Sequence, residues 1–450
     1  MKGSFYAAVI LMLVLASTAF GQYEVLSFDF CGGGARAEGM GKAYLGVSDD
    51  ITGGGWNPAG LYTIDKPVLG VTWGSLAPRG AGNRITFNQG LVGIEHTGSF
   101  AKINSLNFVA PLRIKGHHFV GSFNYTRNFD AYQYDAGAYT GMEFINEFVG
   151  SAYLEQQWQS TLEGSVNSVN IAIGTRLYQK ISFGFALNVY TGKLLREFSA
   201  YSIFPEMPIG DGMQTAVYEM YQTITDTNKV SGINFTTGLK YSGEKLGIGL
   251  MVRSPFKMNF DNDTTDVLEA YLNGLPSDPS TRTLYDMNNL TQYDIPWMVG
   301  LGFAYNVNEN FLVAADMEMR AFKGGKVYVR DSLTINPGGD NIEYFTEHDP
   351  FYENVFAVRL GAEYLKQTKY GQVPLRAGLG YCPIPDPDYD ENGETSQAVN
   401  YTFSLGSGIH WEQIRFDVAY SLATLDRSWF NEIDYTARNH HLNVSFTGIF

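Results

Sequence analysis

The stretch His441-Leu-Asn-Val-Ser-Phe-Thr-Gly-Ile-Phe450 decides the fold class. Leu442, Val444, Phe446 and Phe450 fall on one face, and Asn443, Ser445 and Thr447 on the other. Period two belongs to extended backbone, so this is a strand with one oily and one wet face. A soluble sandwich would bury the oily face against a second sheet, whereas a membrane barrel turns it to lipid. Periodicity alone does not separate the two.

The connections do. Outward from that strand, alternating runs fall at 66–74, 104–110, 117–128, 166–179, 182–196, 231–242 and 246–256, then at 295–306, 310–322, 353–366, 373–381, 399–411, 413–424 and 439–450. In Phe311–Arg320, for example, Phe311, Val313, Ala315, Met317 and Met319 oppose Asp316, Glu318 and Arg320. Links after even-numbered runs are short: 243–245, 307–309, 367–372 and residue 412. Links after odd-numbered runs are long: 75–103, 129–165, 197–230, 257–294, 323–352, 382–398 and 425–438. Short turns on one rim and long loops on the other predict an all-β fold, a transmembrane antiparallel β-barrel of about 14 strands.

The start of the chain agrees. Lys2 precedes an apolar core from Ala7 to Ala16, and Ala19 and Gly21 form a small-residue site before Gln22. This predicts a secretory signal peptide over 1–21 rather than a membrane helix. Cys31 lies too far past that core to be a lipid-modified cysteine. No later stretch reaches the roughly 18 apolar residues a spanning helix needs. Aromatics make up 14% of the chain and charged residues 17%, with 50 glycines. That suits two aromatic girdles and closely paired strands better than a soluble domain, where about 25% charge is usual. A net charge of −15 argues against a nucleic-acid partner. Two cysteines, Cys31 and Cys382, cannot frame the fold, and whether they pair is not readable.

Residues 22–65 differ from the alternating runs. They contain Gly39-Met-Gly-Lys-Ala-Tyr44, Ser48-Asp-Asp50 and Asn57-Pro-Ala-Gly-Leu61. The length is enough for a compact plug inside a barrel built from 66–450. These runs resemble the plug of the FadL-type outer-membrane transporters of long-chain fatty acids and other hydrophobic compounds. Arg253-Ser-Pro-Phe256, Ile295-Pro296 with Val299–Tyr305, and Val358–Tyr364 with Val373–Tyr381 resemble that family's later strands. The resemblance implies a monomeric fourteen-stranded barrel with an amino-terminal hatch, in the outer membrane of a Gram-negative bacterium. It implies capture of fatty acids or hydrocarbons in outer loops and lateral release through a kink in the third strand. A subgroup of similar barrels in Bacteroidetes-type bacteria shuttles secreted proteins, which is the alternative reading. Implied partners are apolar small molecules, membrane lipid with lipopolysaccharide, and the barrel assembly machinery.

Several residues carry these expectations. Asn57, Pro58 and Ala59 form the hatch motif. Gly121 is the residue of the third strand most able to kink. Phe450 is the terminal aromatic expected to guide assembly. For an oily groove, Met213, Val217, Met220, Tyr221 and Ile224 recur at helical spacing in one loop. In the next, Asp263–Asp266 would cap a short helix carrying Val267, Leu268, Tyr271 and Leu272. Inward Arg253, Arg320, Arg359, Arg376 and Arg415 stand beside Asp316, Glu318, Glu363 and Asp417. They either hold a carboxylate head group or make a salt-bridged wall. His117-His118 and His440-His441 point to opposite strand faces and chelate poorly. Asp386–Glu394 imitates a calcium loop, but Val399 stands where a bidentate Glu is required. No nucleophile elbow, zinc-spaced set or cofactor motif is present, so neither an enzyme nor a metal protein is expected.

Overall fold

The computed structural model describes residues 30, 32–83, 86–87, 90–91, 94–97, 100–146, 150–209, 214–276, 283–334, 341–389, 395–429 and 433–450. The wall begins with β1 (Val68–Asn83), β2 (Phe100–Ile114), β3 (His117–Asn146), β4 (Gly150–Tyr178), β5 (Ile181–Ile209) and β6 (Gln214–Ser242). β7 runs as Leu246–Arg253 and resumes as Phe256–Leu272, and β8 as Thr283–Ile295 and then Met298–Asn308. β9 (Phe311–Arg320), β10 (Val355–Thr368), β11 (Gly371–Tyr389), β12 (Thr395–His410), β13 (Ile414–Trp429) and β14 (Ile433–Ile449) complete it. Each strand pairs antiparallel with the next. β14 returns to β1 through Ile449↔Val68 to Asp434↔Asn83, which closes fourteen strands without an edge. Closure is what a membrane requires, since an unpaired strand edge would leave backbone groups unsatisfied in hydrocarbon.

The alternation read in the sequence sets the two faces. Leu442 and Phe446 are exposed on the outside, while Asn443 and Ser445 are buried in the lumen. Around the wall Leu69, Phe108, Phe123, Ile171, Phe185, Phe235, Leu250, Phe303, Met317, Leu360, Leu379 and Phe403 form a continuous outer apolar band.

Four strands are far longer than the sequence indicated. β3 has 30 residues, and β4, β5 and β6 have 29 each. About 9–11 residues suffice for a tilted strand to cross a membrane. The remainder rises past the apolar band on the rim opposite Phe450. The long links at 129–165, 197–230 and 257–294 are therefore mostly wall rather than loop. The helical readings at Met213–Ile224 and Asp263–Leu272 are corrected, because Gln214–Ser242 and Phe256–Leu272 are strands. No register shift falls at Gly121. It pairs with Ala110 on one side and Ile173 on the other, without a shift. A Cβ added there would meet Leu112 at 3.2 Å. The irregularities of β3 against β4 lie instead between Arg127 and Phe129 and between Thr140 and Met142.

Inside the wall lie helix α1 (Ala35–Gly39), helix α2 (Gly53–Trp56) and a 3-10 turn at Pro58–Thr63. Their cores are buried: Ala37, Met40, Tyr44, Trp56, Ala59 and Leu61. Helices this short have little stability of their own, and the surrounding wall holds them. Contact is backbone to backbone at several glycines. A side chain on Gly378 would begin 2.0 Å from the Gly41 nitrogen, and Gly41 itself has φ +63, which favours glycine.

Candidate functional site: plug, amide belt and aromatic cluster

The plug is fastened to one side of the wall by charge. Arg36 donates to both carboxylate oxygens of Glu363 at 3.0 and 2.8 Å, and to Asp49 at 2.5 Å. Glu363 also accepts from Arg376 at 2.6 Å, and Arg376 reaches Asp417 at 2.6 Å. Asp316 accepts the backbone N–H groups of Tyr44 at 2.6 Å and Leu45 at 2.8 Å. Glu318 is held by Arg320 at 2.6 Å and Arg359 at 3.2 Å. Glu318, Glu363 and Asp417 on β9, β10 and β13 are thus each paired with an arginine, and Glu363 and Asp316 also hold the plug. Buried charges need such pairing, and this arrangement is the salt-bridged wall among the two sequence readings.

The opposite side is neutral. The Asn124 amide donates to Asn170 at 2.9 Å, Asn170 to Asn188 at 2.7 Å, and Asn188 to Asn234 at 2.7 Å. This belt crosses β3, β4, β5 and β6 at one height. Gly54 of α2 lies directly on it, since an added Cβ there would sit 2.5 Å from Ser122 Oγ and 2.6 Å from the Asn124 amide nitrogen. Arg253 ends the belt. It donates to Thr236 at 3.1 Å, to the Phe30 carbonyl at 2.6 Å and to the Gly55 carbonyl at 3.3 Å.

The hatch motif sits where the plug meets β5, β6 and β7. Asn57 is fully buried. Its side-chain oxygen accepts the Ala59 N–H at 3.2 Å. Its amide donates to the Leu45 carbonyl at 3.3 Å and the Leu239 carbonyl at 3.2 Å. Pro58 opens the 3-10 turn, where its fixed φ suits the first position. The Ala59 carbonyl accepts from Ser182 at 2.8 Å. Lys240 donates to the Val47 carbonyl nearby.

Above the plug the lining of the wall changes. On β5 the inward residues are Ser182, Gly184, Ala186 and Asn188 at the plug, then Tyr190, Leu194, Phe198 and Phe204 higher up. Outward residues change the other way, from Phe183, Phe185, Leu187 and Val189 to Lys193, Glu197 and Ser199. The upper lumen of β5 thus carries more apolar side chains than the lower, although Arg196 and Ser202 also face in and Leu195, Tyr201 and Ile203 face out. A buried cluster lies there: Phe30, Tyr190, Met258, Tyr293, Phe322 and Tyr352 are among its members, with Phe256 against it. Tyr190 and Phe256 stack at 5.0 Å, and Phe30 stands edge-on to both, at 5.8 and 6.0 Å. Phe260–Tyr293 and Phe322–Tyr352 are edge-on pairs at 5.4 and 6.0 Å. Such pairs gain about 0.5–1.5 kcal/mol beyond the area they bury. Phe322 and Tyr352 come from the links that join β9 and β10 to the hairpin Val327–Thr334/Asn341–His348. There Lys326 meets Asp349 at 3.2 Å. The hydrogen bond from the Phe351 N–H, then that from Lys326, holds the Asp349 carboxyl below its usual range.

The residues proposed from helical spacing divide between two faces. Met220 and Leu268 are buried in the lumen, with Leu272 half-buried on the same face. Val217, Tyr221 and Tyr271 point outward, where Tyr221 meets Tyr271 edge-on at 5.7 Å. Met213 lies outside the described residues, as do Cys31 and the acidic run from Asp390 to Glu394. Cys382 is half-buried beside the aromatic cluster. Among the described residues no group of His, Cys, Asp and Glu is arranged to hold a metal. The sequence reading missed the aromatic cluster. Its signal was the appearance of apolar residues on the inner face of β5 and β6 above the plug.

Solved structures share this architecture. A FadL homologue of Pseudomonas aeruginosa aligns over 94% of this chain and 99% of its own, at 13% identity and a TM-score of 0.55. The CymD monoaromatic hydrocarbon channel aligns over 94% and 99%, at 14% identity and a TM-score of 0.58. The toluene transporter TbuX of Ralstonia pickettii aligns over 94% and 99%, at 13% identity and a TM-score of 0.58. No protein-family model and no curated protein matches the sequence. The chain thus has the FadL-type fold, a fourteen-stranded barrel.

Proposed function

We propose that this FadL-fold barrel carries small apolar molecules across the outer membrane of a Gram-negative cell, as a monomer freed of residues 1–21. The carrying observation is the buried aromatic cluster above the plug, which gives part of the lumen an apolar lining beside the polar hatch. A wide wet pore would offer an apolar solute nothing, whereas burial stabilises it by roughly 0.8 kcal/mol per CH₂. Solute enters past Met220, Leu268 and Leu272, settles among Tyr190, Phe256, Met258 and Tyr293, and leaves sideways through the wall. Asn57, Pro58 and Ala59 set the seat of the hatch.

The same geometry ranks the ligands. Arg253, Arg320, Arg359 and Arg376 are each engaged by a carbonyl or carboxylate. A fatty-acid carboxylate at Arg253, Arg320 or Arg359 would have to displace one of these partners, which favours neutral hydrocarbon over long-chain fatty acid at those positions. Two barrels of the same fold are named for toluene and monoaromatic hydrocarbons, which agrees with this order.

The test is uptake of labelled toluene and labelled oleate by cells expressing the chain, with a mass spectrum of an organic extract of purified protein. Toluene uptake above a strain lacking the barrel is expected, falling in Tyr190→Ala and Phe256→Ala. Uptake of neither solute, with no apolar molecule in the extract, would overturn the reading.

A further inference from the structure

Asp266 is a buried carboxylate that makes no ion pair among the described residues. It stands on the stretch of β7 that rises past the outer apolar band, and it is 3% exposed. Lower in the barrel Glu318, Glu363 and Asp417 each face an arginine. Even its neighbour Asp226 on β6 meets Arg196 of β5 at 2.9 Å and accepts from the Thr264 hydroxyl at 2.7 Å. The two oxygens of Asp266 accept only from a neutral group, the Gln222 amide of β6, at 3.2 and 3.0 Å. Taking a carboxylate out of water is costly, and an amide offsets less of that cost than a guanidinium does. Burial, opposed by the Gln222 hydrogen bond and aided by the Asp226 charge, raises the Asp266 carboxyl above its usual range.

Gln222 is only half used. It is also 3% exposed, and its side-chain oxygen is buried without a partner. The oxygen and nitrogen of one amide lie about 2.2 Å apart, so that oxygen stands beside the carboxylate which the nitrogen serves. Exchanging the two atoms would set oxygen against an ionised carboxylate, which has no proton to give. Two acceptors therefore meet with no donor between them: Gln222 Oε1 and the remaining lone pairs of Asp266. The group that satisfies both is compact, positive and rich in N–H.

The register shows what surrounds them. Trp158 of β4 pairs with Ala200 of β5, Ala200 with Gln222, and Gln222 with Leu268 of β7, one row across four strands. Trp158 and Gln222 stand two strands apart, about 9.6 Å, and on that row only the Ala200 methyl lies between them. Phe198, Ala200 and Ile224 form one buried cluster with Trp158 packed against it, and Trp158 stacks on Phe198 at 6.2 Å. Met220 and Leu268 are buried on the same inner face. The acceptor pair is thus set in apolar surroundings, which suit an apolar body carrying one N–H-rich head. A calcium ion fits poorly, since it takes about six to eight oxygens. Here two side chains offer three, and both Asp266 oxygens already share an amide donor. An anionic head would meet Asp266 as like charge against like.

We propose that Asp266 and Gln222 form a receptor for a protonated primary amine on an apolar body, an arylalkylamine being the simplest. The ammonium sits between the Asp266 carboxylate and Gln222 Oε1, and the body lies against Phe198, Ile224 and Leu268. The receptor flanks the entry past Met220 and Leu268. It rests on the transport reading for its role, and it adds a charged solute class to the hydrocarbons.

The test is calorimetric binding to the full chain in nonionic detergent near neutral pH, with three probes of similar shape: phenethylamine, propylbenzene and 3-phenylpropionate. Phenethylamine is expected to bind at least about tenfold more tightly than phenylpropionate, a preference that Asp266→Asn abolishes. Gln222→Met removes Oε1 and should weaken the amine by about threefold or more. Propylbenzene should bind both variants as it binds the parent chain, which reports an intact barrel. Equal affinity for amine and carboxylate, or an amine affinity indifferent to both substitutions, overturns the receptor. Calcium binding that Asp266→Asn abolishes, in a barrel that ignores the amine, would make the pair a metal site and overturn it too. Amine binding lost in Asp266→Asn, in a barrel that takes up neither toluene nor phenethylamine, upholds the receptor and refutes the transport reading. Toluene uptake without any preference for the amine does the reverse.

Discussion

Replacement of Arg36 by methionine isolates what holds the hatch shut. Arg36 makes two charge-assisted bonds to Glu363, whose side chain is 4% exposed, while the Asp49 contact is 43% exposed on the acid side. Exposed ion pairs contribute little, so the Glu363 contact dominates. Glu363 keeps Arg376 after the substitution and is not left alone. Two bonds to a charged group, one end sealed, then amount to about 3 kcal/mol. That converts to roughly a 150-fold increase in the fraction of molecules with α1 detached. Hydrogen exchange reads this directly. The N–H groups of Met40, Gly41 and Lys42 bond to carbonyls within the plug, at 3.1, 3.0 and 2.9 Å. Their exchange tracks local opening and should accelerate by about two orders of magnitude, while amides of β10 and β11 stay unchanged. Arg36→Lys keeps the charge but loses the two-pronged geometry, and should fall between. Acceleration below about threefold in Arg36→Met would show that α1 is held by packing alone and refute the argument.

Three further outcomes follow from the same contacts. Replacing Asn57 and Pro58 together with alanine removes the bonds to Leu45 and Leu239, and should change solute uptake while the barrel still shows heat-modifiable migration; wild-type uptake would remove the motif from the hatch mechanism. Gly378→Val places a side chain against the Gly41 backbone, so the segment 32–64 should lose protection from protease. Intact protection would mean the wall yields there. Deleting Phe450, whose N–H bonds to the Pro67 carbonyl at 2.9 Å and whose ring is 75% exposed, should lower the yield of inserted barrel. A normal yield would remove the terminal ring from assembly.

The lower barrel was legible because each residue there answers to only one environment. An outward position meets lipid and an inward one meets the plug, so Leu442, Val444 and Phe446 read cleanly against Asn443 and Ser445. The inward charges were equally plain, since Asp316, Glu318 and Arg320 fall on one face of a run otherwise apolar. Above the plug that reasoning fails for a physical reason. On β5 and β6 apolar side chains appear on the inner face as well, and around the change both faces carry oily residues. Met220 and Ile224 face in while Val217 and Tyr221 face out, and together they imitate the spacing of a helix. The same confusion hid the aromatic cluster. Phe30, Tyr190, Tyr293, Phe322 and Tyr352 come from five separate segments, and only register brings them together. Pro255 and Pro296, at the breaks of β7 and β8, were visible, yet each alone reads as a strand end. Their meaning lies in facing one another, Pro255 across from Pro296, where the wall loses rungs that a lone proline would leave to its neighbour. A barrel needs closure to survive in hydrocarbon, so such a paired loss is stable only where packed side chains replace the backbone bonds on the inside. Phe256 and its neighbours pack the lumen beside that break, so the aromatic cluster has a structural duty there.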